Sequence, residues 1–182
     1  PFNARHSTDP LGQWSGWLRS VLLGGQYAVT SEADYCVYVE QDCLLGGEGV
    51  IEYCIDHMTR GIMFGSGENT PQPIQQSFFI IAQKKLPKFL KNLVDLKDRD
   101  SDLSPEWKFV FATWRPLVHA SNWGLLRSRR ARRWVLRLMR RIAFDALPID
   151  GGRARPIDFS AHYYYFQQGT EAELDRYFAS RS

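Results

Sequence analysis

Apolar residues in the first half of the chain follow two alternating patterns, helical spacing and short continuous runs. Helical spacing after residue 10 predicts a helix from about Leu11 to Val29, and further helical stripes begin at Val50 and Leu86. The intervening run Tyr35–Val39 consists of β-forming, largely apolar residues, which favours a strand buried on both faces. Because helices alternate with strands, we expect an α/β fold with a mixed sheet flanked by helices.

The middle of the chain continues this alternation. Short β-like runs at Gly61–Phe64 and Ser77–Ala82 predict two more strands, with a loop rich in Gly, Asn and Pro between them. A further helix is expected to begin at Pro105, because proline suits the first helical turn.

The last part of the chain contains a loop and a closing helix. Pro, Gly and Arg dominate Leu147–Pro156, which predicts an irregular connection. A helix is expected over Glu171–Ala179, since Thr170 and Glu173 have the spacing of a capping box, in which each side chain bonds to the backbone of the other.

Length and composition predict a single domain over residues 1–182. The hydrophobic fraction of 44% and the charged fraction of 24% are ordinary for a globular protein. No run reaches the roughly 18 apolar residues that a membrane-spanning helix needs. The odd number of cysteines, Cys36, Cys43 and Cys54, does not suggest a disulfide framework. With no signal peptide in the sequence, we expect a cytoplasmic protein, with peripheral attachment to a membrane left open.

Positive charge is concentrated in one segment. Eight arginines lie between Arg127 and Arg141, and the rest of the chain carries 15 Lys and Arg against 20 Asp and Glu, a balance of −5. Apolar residues at helical spacing within the segment predict a long basic amphipathic helix, whose apolar face includes Trp134 and Ile142. Three interpretations stay open: a solvated face, attachment to an anionic membrane surface, or binding to nucleic acid, of which the last is the least favoured.

Two acidic residues follow the first predicted strand directly. Glu40 and Asp42 stand two positions apart, so their side chains can project to the same side at the end of the run Tyr35–Leu45. Mg²⁺ and Mn²⁺ are commonly held by one or two carboxylates together with substrate phosphates. The sequence therefore predicts a metal site here, although solvated loop acids are an alternative.

This segment resembles the acidic motif of GT-A nucleotide-sugar glycosyltransferases, most nearly those of family 2, with Glu40 in place of the first Asp. The resemblance extends over about Trp14–Phe178 and lacks the N-terminal half that binds the nucleotide in such enzymes. It implies a partial GT-A-like, Rossmann-related sheet, a nucleotide-sugar donor, an unidentified acceptor, and Mn²⁺ or Mg²⁺ as cofactor. It also implies that the chain is the C-terminal portion of a catalytic domain.

Downstream residues have positions that the resemblance associates with the acceptor. Gln76 and Ser77 would hydrogen-bond sugar hydroxyls, the alternative being the polar end of an edge strand. Glu106 would act as the general base of an inverting enzyme, because a carboxylate is needed there to deprotonate the acceptor hydroxyl. As an alternative, Glu106 is an acid in the first turn of a helix, where the helix dipole favours negative charge.

Three basic residues near the C-terminus complete the predicted site. Arg153 and Arg155 lie in a flexible loop and would bind phosphate, which guanidinium groups recognise bidentately. His162 would be a metal ligand, as a C-terminal His is in some GT-A enzymes, the alternative being a structural His in an aromatic strand.

The leading functional hypothesis is therefore a metal-dependent glycosyltransferase. Two alternatives are a nucleotidyltransferase, which also uses carboxylates and a metal, and a non-catalytic module that binds nucleic acid or anionic lipid through Arg127–Arg141.

Overall fold

The computed structural model describes residues 16–68, 70–99 and 102–179. Within these residues the chain forms a mixed α/β fold with seven helices and two mixed sheets. The helices are α1 (Gly16–Thr30), α2 (Val50–Asp56), α3 (Leu86–Asp95), α4 (Pro105–Ala112), α5 (Arg115–Asn122), α6 (Arg129–Ile142) and α7 (Glu171–Ala179). The strands are β1 (Tyr35–Val39), β2 (Cys43–Gly46), β3 (Ile62–Ser66), β4 (Ile74–Ala82), β5 (Asp145–Ala146), β6 (Asp150–Gly152) and β7 (Tyr164–Gln167).

Strand β4 is the centre of the first sheet, whose order is β1-β4-β3-β5. It pairs antiparallel with both β1 and β3, and β3 pairs parallel with β5. Phe79 and Ile81 pack into the main core with α1, α3, α4 and α6, whereas Phe78 and Ile80 pack on the other side with α2 and β7. Because both faces of β4 are covered, its apolar residues form a continuous run in the sequence.

Strand β1 is not buried on both faces, so that prediction was wrong. Tyr35, Val37 and Val39 are exposed, and Cys36 and Tyr38 face the main core, where the Tyr38 ring stacks on Phe79. These three residues alternate along the strand and share the face opposite the main core, which is open to solvent at β1. Among the described residues β4 is the single neighbour of β1, which is therefore also an edge strand.

The run Tyr35–Leu45 is two strands separated by a turn. The backbone N–H of Cys43 donates to the Glu40 carbonyl at 3.0 Å, which closes the turn, and the Glu40 N–H donates to the Ser77 carbonyl at 2.8 Å. After the turn, β2 leaves the first sheet and pairs antiparallel with β7 in the second sheet, whose order is β2-β7-β6. The turn therefore lies where the two sheets meet.

The ends of the predicted helices agree with the structure to within a few residues. The predicted start of the first helix, including Leu11 and Trp14, lies outside the described residues. Helix α4 begins at Pro105 as predicted. The capping box of α7 is also confirmed, because the Thr170 N–H donates to Glu173 Oε2 at 2.8 Å and the Glu173 N–H donates to Thr170 Oγ1 at 3.3 Å.

Helix α6 buries a narrower face than the sequence predicted. Val135 and Met139 are buried, whereas Trp134 is 62% exposed and Ile142 is 54% exposed. The face of α6 that packs on the core consists of Ala131, Val135, Leu136, Leu138 and Met139. Trp134 and Ile142, which the sequence placed on the apolar face, lie outside this packed set. Within the described residues, no helix combines the length and apolar character needed to cross a membrane.

Candidate functional site

Two carboxylates and one amide come together where the two sheets meet. Glu40 and Asp42 lie on either side of Gln41 in the turn between β1 and β2. Gln167 is the last residue of β7 and is the register partner of Cys43, which places its side chain beside the turn. Its amide nitrogen contacts Glu40 Oε2 and lies 3.1 Å from Asp42 Oδ1. The two carboxylates therefore converge on a single atom.

The carboxylate oxygens of Glu40 and Asp42 are of the type that hard divalent cations bind. Gln167 presents its amide nitrogen to them and its oxygen to Arg153, so its amide would have to turn before its oxygen could bind a cation beside the carboxylates. Oxygen ligands of this kind suit Mg²⁺ and Mn²⁺, which commonly take one or two carboxylates and complete their shell with water and phosphate. The described residues contain no cluster of three or more His, Cys, Asp or Glu side chains that could hold a metal. A cation at this turn would therefore need further ligands from an amide and from a substrate.

Arg153 holds Gln167 from the other side. Its Nε donates to Gln167 Oε1 at 3.2 Å, and its backbone N–H donates to Gln75 Oε1. Gln75 is 5% exposed, and its amide nitrogen donates to the Ser66 carbonyl at 2.6 Å, which ties β4, β3 and β6 together. A Cβ at Gly152 would lie 2.1 Å from Gln75 Oε1, so this close approach requires glycine there. Arg153 is therefore positioned by buried contacts next to the carboxylates.

A narrow cavity adjoins this group. Arg153 and Gln167 line it together with Glu106 from the first turn of α4 and Gln76 from β4. Its volume is about 10 Å³, so a sugar ring would enter only if some of these side chains moved. The structure thus brings five predicted residues to one region: Glu40, Asp42, Gln76, Glu106 and Arg153.

Two amide oxygens at this cavity have unmet hydrogen-bonding capacity. Gln72 Oε1 and Gln76 Oε1 are buried and accept no hydrogen bond from any described residue. A buried acceptor without a donor costs about 1–3 kcal/mol. A ligand that carries hydroxyl groups would supply the donors that these oxygens lack.

Ser77 does not reach the cavity. It neighbours Gln76 in β4 and therefore projects to the opposite face of the strand, where its side chain is 1% exposed and lies beside the Cys43 thiol. The pKa of Cys43 is raised to about 12, mainly by burial and in addition by the charges of Asp42 and Glu40, while the Ser77 hydroxyl acts in the opposite direction. Cys43 is thus a protonated thiol at neutral pH.

His162 lies away from the carboxylates. It precedes β7, whereas Gln167 ends that strand, so the length of β7 separates them. The His162 side chain is exposed, and its ring packs against Tyr163 with centroids 4.3 Å apart. The side chain that lies beside the two carboxylates is that of Gln167 and not that of His162.

Arg155 is committed to contacts within the protein. Its guanidinium donates to the carbonyls of Gly152 and Gln167 at 3.0 and 3.1 Å and forms an ion pair with Glu173 of α7. These contacts attach the closing helix to the loop after β6. Of the two arginines predicted to bind phosphate, Arg153 is therefore the one that adjoins the carboxylates.

The sequence reasoning did not identify Gln167, Gln72 or Gln75 as site residues. One signal for Gln167 was present, because it is the polar residue that ends the aromatic run Tyr163–Phe166, just as Glu40 follows an apolar run. The rule that ligands bind at strand ends applied to both positions. The register of β2 and β7 decides which polar residue at the end of β7 faces the turn. The sequence does not specify that register.

No protein-family model matches this chain, and none of the curated proteins or solved structures compared with it is significantly similar.

Proposed function

We propose that this chain carries the acceptor-side and metal-binding part of a glycosyltransferase that uses a nucleoside-diphosphate sugar. The observation that supports the proposal most directly is the convergence of Glu40 and Asp42 on Gln167, with Glu106 across the adjoining cavity. These four residues come from three separate parts of the sequence, and three of the residues were predicted to act together.

The proposed roles follow from the positions of the side chains. Glu40 and Asp42 would hold Mg²⁺ or Mn²⁺, which when bound supplies positive charge that stabilises the diphosphate leaving group. Gln167 would join them as a ligand by turning its amide oxygen from Arg153 toward the cation. Arg153 adds a second positive charge beside them and would orient the phosphates. Together these groups favour departure of the diphosphate from the sugar.

Glu106 and the cavity glutamines would act on the acceptor and the sugar. Gln72 Oε1 and Gln76 Oε1 would accept hydrogen bonds from hydroxyl groups. Glu106 would take the proton from the attacking acceptor hydroxyl as its oxygen forms a bond to the anomeric carbon and the bond from that carbon to the diphosphate breaks. This role makes the proposed enzyme inverting, since the nucleophile attacks from the side opposite the leaving group.

The open edge of β1 is consistent with a nucleotide-binding half supplied by other residues. Tyr35, Val37 and Val39 are exposed on an edge strand, and exposed apolar edges are normally covered in folded proteins. The resemblance implies a strand-rich half that binds the base and ribose. A strand of that half would pair with the free backbone edge of β1, and an element packed on the sheet would cover the exposed side chains.

The proposal is tested by product analysis with the longest natural form of the chain. The protein is incubated with a panel of nucleoside-diphosphate sugars and simple acceptors, with Mn²⁺ or with a chelator. We expect a free nucleoside diphosphate that is released only with metal. Release of pyrophosphate from a nucleoside triphosphate and a sugar phosphate would instead indicate a nucleotidyltransferase, and the absence of any heat of binding for all donors would contradict both.

A further inference from the structure

One face of α6 carries arginines around an exposed tryptophan. Arg130, Trp134, Arg137 and Arg141 are four, three and four residues apart, so they lie along one side of the helix. All four are exposed, and Trp134 is 62% exposed. This row, which we call the arginine–tryptophan face, is distinct from the Val135 side of the helix, which packs into the core.

The charge on this face is not neutralised within the part of the chain that the structure describes. Arg130, Arg137 and Arg141 form no ion pair or side-chain hydrogen bond with other described residues. In the sequence, no Asp or Glu occurs between Trp107 and Phe144. The face therefore has a positive electrostatic potential, which an external anion would neutralise.

The loop before α6 exposes further apolar side chains. Trp123 is 75% exposed and Leu125 is 64% exposed. The loop is attached to the helix, since Arg132 Nε donates to the Leu126 carbonyl at 2.7 Å. Exposed apolar side chains and arginines thus lie on two adjacent segments that are joined by this hydrogen bond.

We propose that the arginine–tryptophan face and the adjoining loop bind the surface of an anionic membrane. Arginine together with exposed Trp and Leu is the composition of segments that lie in the interface between lipid headgroups and acyl chains. The arginines would contact lipid phosphates, while Trp134, Trp123 and Leu125 would enter the apolar boundary. Nucleic acid would satisfy the arginines but leaves an aliphatic side chain such as Leu125 without a partner, so we favour a membrane. This inference does not depend on the transferase proposal.

The test is cosedimentation of the full chain with vesicles of phosphatidylcholine and roughly one-third phosphatidylglycerol. We expect binding that weakens as salt is raised and that is much weaker for phosphatidylcholine alone. Replacing Arg130, Arg137 and Arg141 together by Gln should weaken binding about 100-fold, since each arginine near an anionic surface contributes about fivefold. Trp134→Ala should weaken binding about tenfold, because the apolar contact is lost.

A matched triple variant separates this surface from a general effect of net charge. Lys91, Lys97 and Arg99 are exposed on α3 and the segment after it, and replacing them by Gln removes the same charge elsewhere. This variant should bind the vesicles as the unmodified chain does. An equal loss in the two triple variants would overturn the proposal, as would equal binding to neutral vesicles. Tighter binding to a duplex oligonucleotide than to anionic vesicles at the same salt would assign the face to nucleic acid instead. Circular dichroism confirms that each variant is folded.

Discussion

Asp42 and Asp145 are carboxylates at the margins of the sheets, but their surroundings differ sharply. Asp145 accepts four hydrogen bonds, from the N–H and hydroxyl of Thr59 at 2.8 Å each, from the N–H of Arg60 at 2.7 Å, and from the Arg60 guanidinium. The Asp42 carboxylate accepts one bond among the described residues, from Gln167 at 3.1 Å. A carboxylate can accept about four hydrogen bonds, so Asp145 is saturated and Asp42 retains acceptor capacity.

This difference separates a structural carboxylate from one that is available to a ligand. Burial by itself would raise the pKa of Asp145, but the hydrogen bonds from Arg60 and Thr59 outweigh it and lower the pKa below the usual value of 3.8. Asp145 thus joins α2, β3 and the end of α6 through one buried charge. Asp42 has no such set of donors and is exposed, and Gln167 holds it near the second carboxylate, Glu40. A cation would stabilise two carboxylates held together in this way.

The largest expected effect is at Asp42. Asp42→Asn keeps the size of the side chain but removes a charged ligand, so sugar transfer should fall by about 100-fold or more, since a bound metal supplies several kcal/mol of charge stabilisation. The measurement is the steady-state rate of nucleoside diphosphate release. Unchanged activity in this variant would remove Asp42 from the proposed site.

Asp145→Asn should lower stability and leave activity unchanged, the reverse of the effect expected for Asp42→Asn. We expect a loss of about 2–3 kcal/mol in the free energy of unfolding, because hydrogen bonds to a buried charge are weakened. The rate of transfer should remain unchanged at temperatures where the variant is folded. Urea unfolding and the transfer assay, run on the Asp42 and Asp145 variants together, show whether stability and activity separate as proposed.

The contribution of Asp145 to stability should depend on pH in a defined direction. Its pKa is lowered in the folded protein, so the folded state binds fewer protons than the unfolded state near pH 3.8. The stabilisation is therefore complete above that pH and is lost as the pH falls through the lowered pKa. Urea unfolding between neutral pH and acid should show a smaller acid-dependent loss in Asp145→Asn, and an identical pH dependence in both proteins would contradict this assignment.

Gln167 provides a finer test of the metal site. Gln167→Ala should weaken Mn²⁺ binding about 10- to 100-fold, as loss of a supporting ligand contact does. Gln167→His should restore most of the affinity, because imidazole is a competent ligand for Mn²⁺. Titration calorimetry with Mn²⁺ in the presence of a nucleoside diphosphate measures both variants. Equal affinity in all three proteins would show that the amide only supports the turn.

The smallest expected effect is at Glu173, a second carboxylate that is bonded within the protein. The Thr170 N–H bond is the main cause that holds the pKa of Glu173 below its usual range, and Arg155 contributes further. Glu173→Gln should lower the free energy of unfolding by about 1 kcal/mol, as loss of a capping contact does. Donor binding should be unchanged, whereas a large rise in the donor Kd would indicate that Arg155 acts on phosphate after all.

Local patterns predicted most of the secondary structure. The helical stripes beginning at Val50 and Leu86 and the strand run Ser77–Ala82 correspond to α2, α3 and β4, because each pattern reflects burial of one face or of both faces. The exposure of Tyr35 could not be predicted in this way, since an apolar strand has the same sequence whether or not another layer covers its second face. Trp134 was misplaced for a similar reason, because helical spacing shows which residues share a face but not how wide a face the core accepts.

For the candidate site, the sequence alone indicated the acidic residues Glu40 and Asp42 and their position after a strand. Both features depend only on residues that are neighbours in the sequence. The tertiary structure decided which distant residues join them. Gln167 is 125 positions from Asp42, and the two meet because β2 pairs with β7 in one particular register. A shift of that register by one residue would turn Gln167 to the other face of the sheet, so the third member of the site is a property of strand pairing and not of any local pattern.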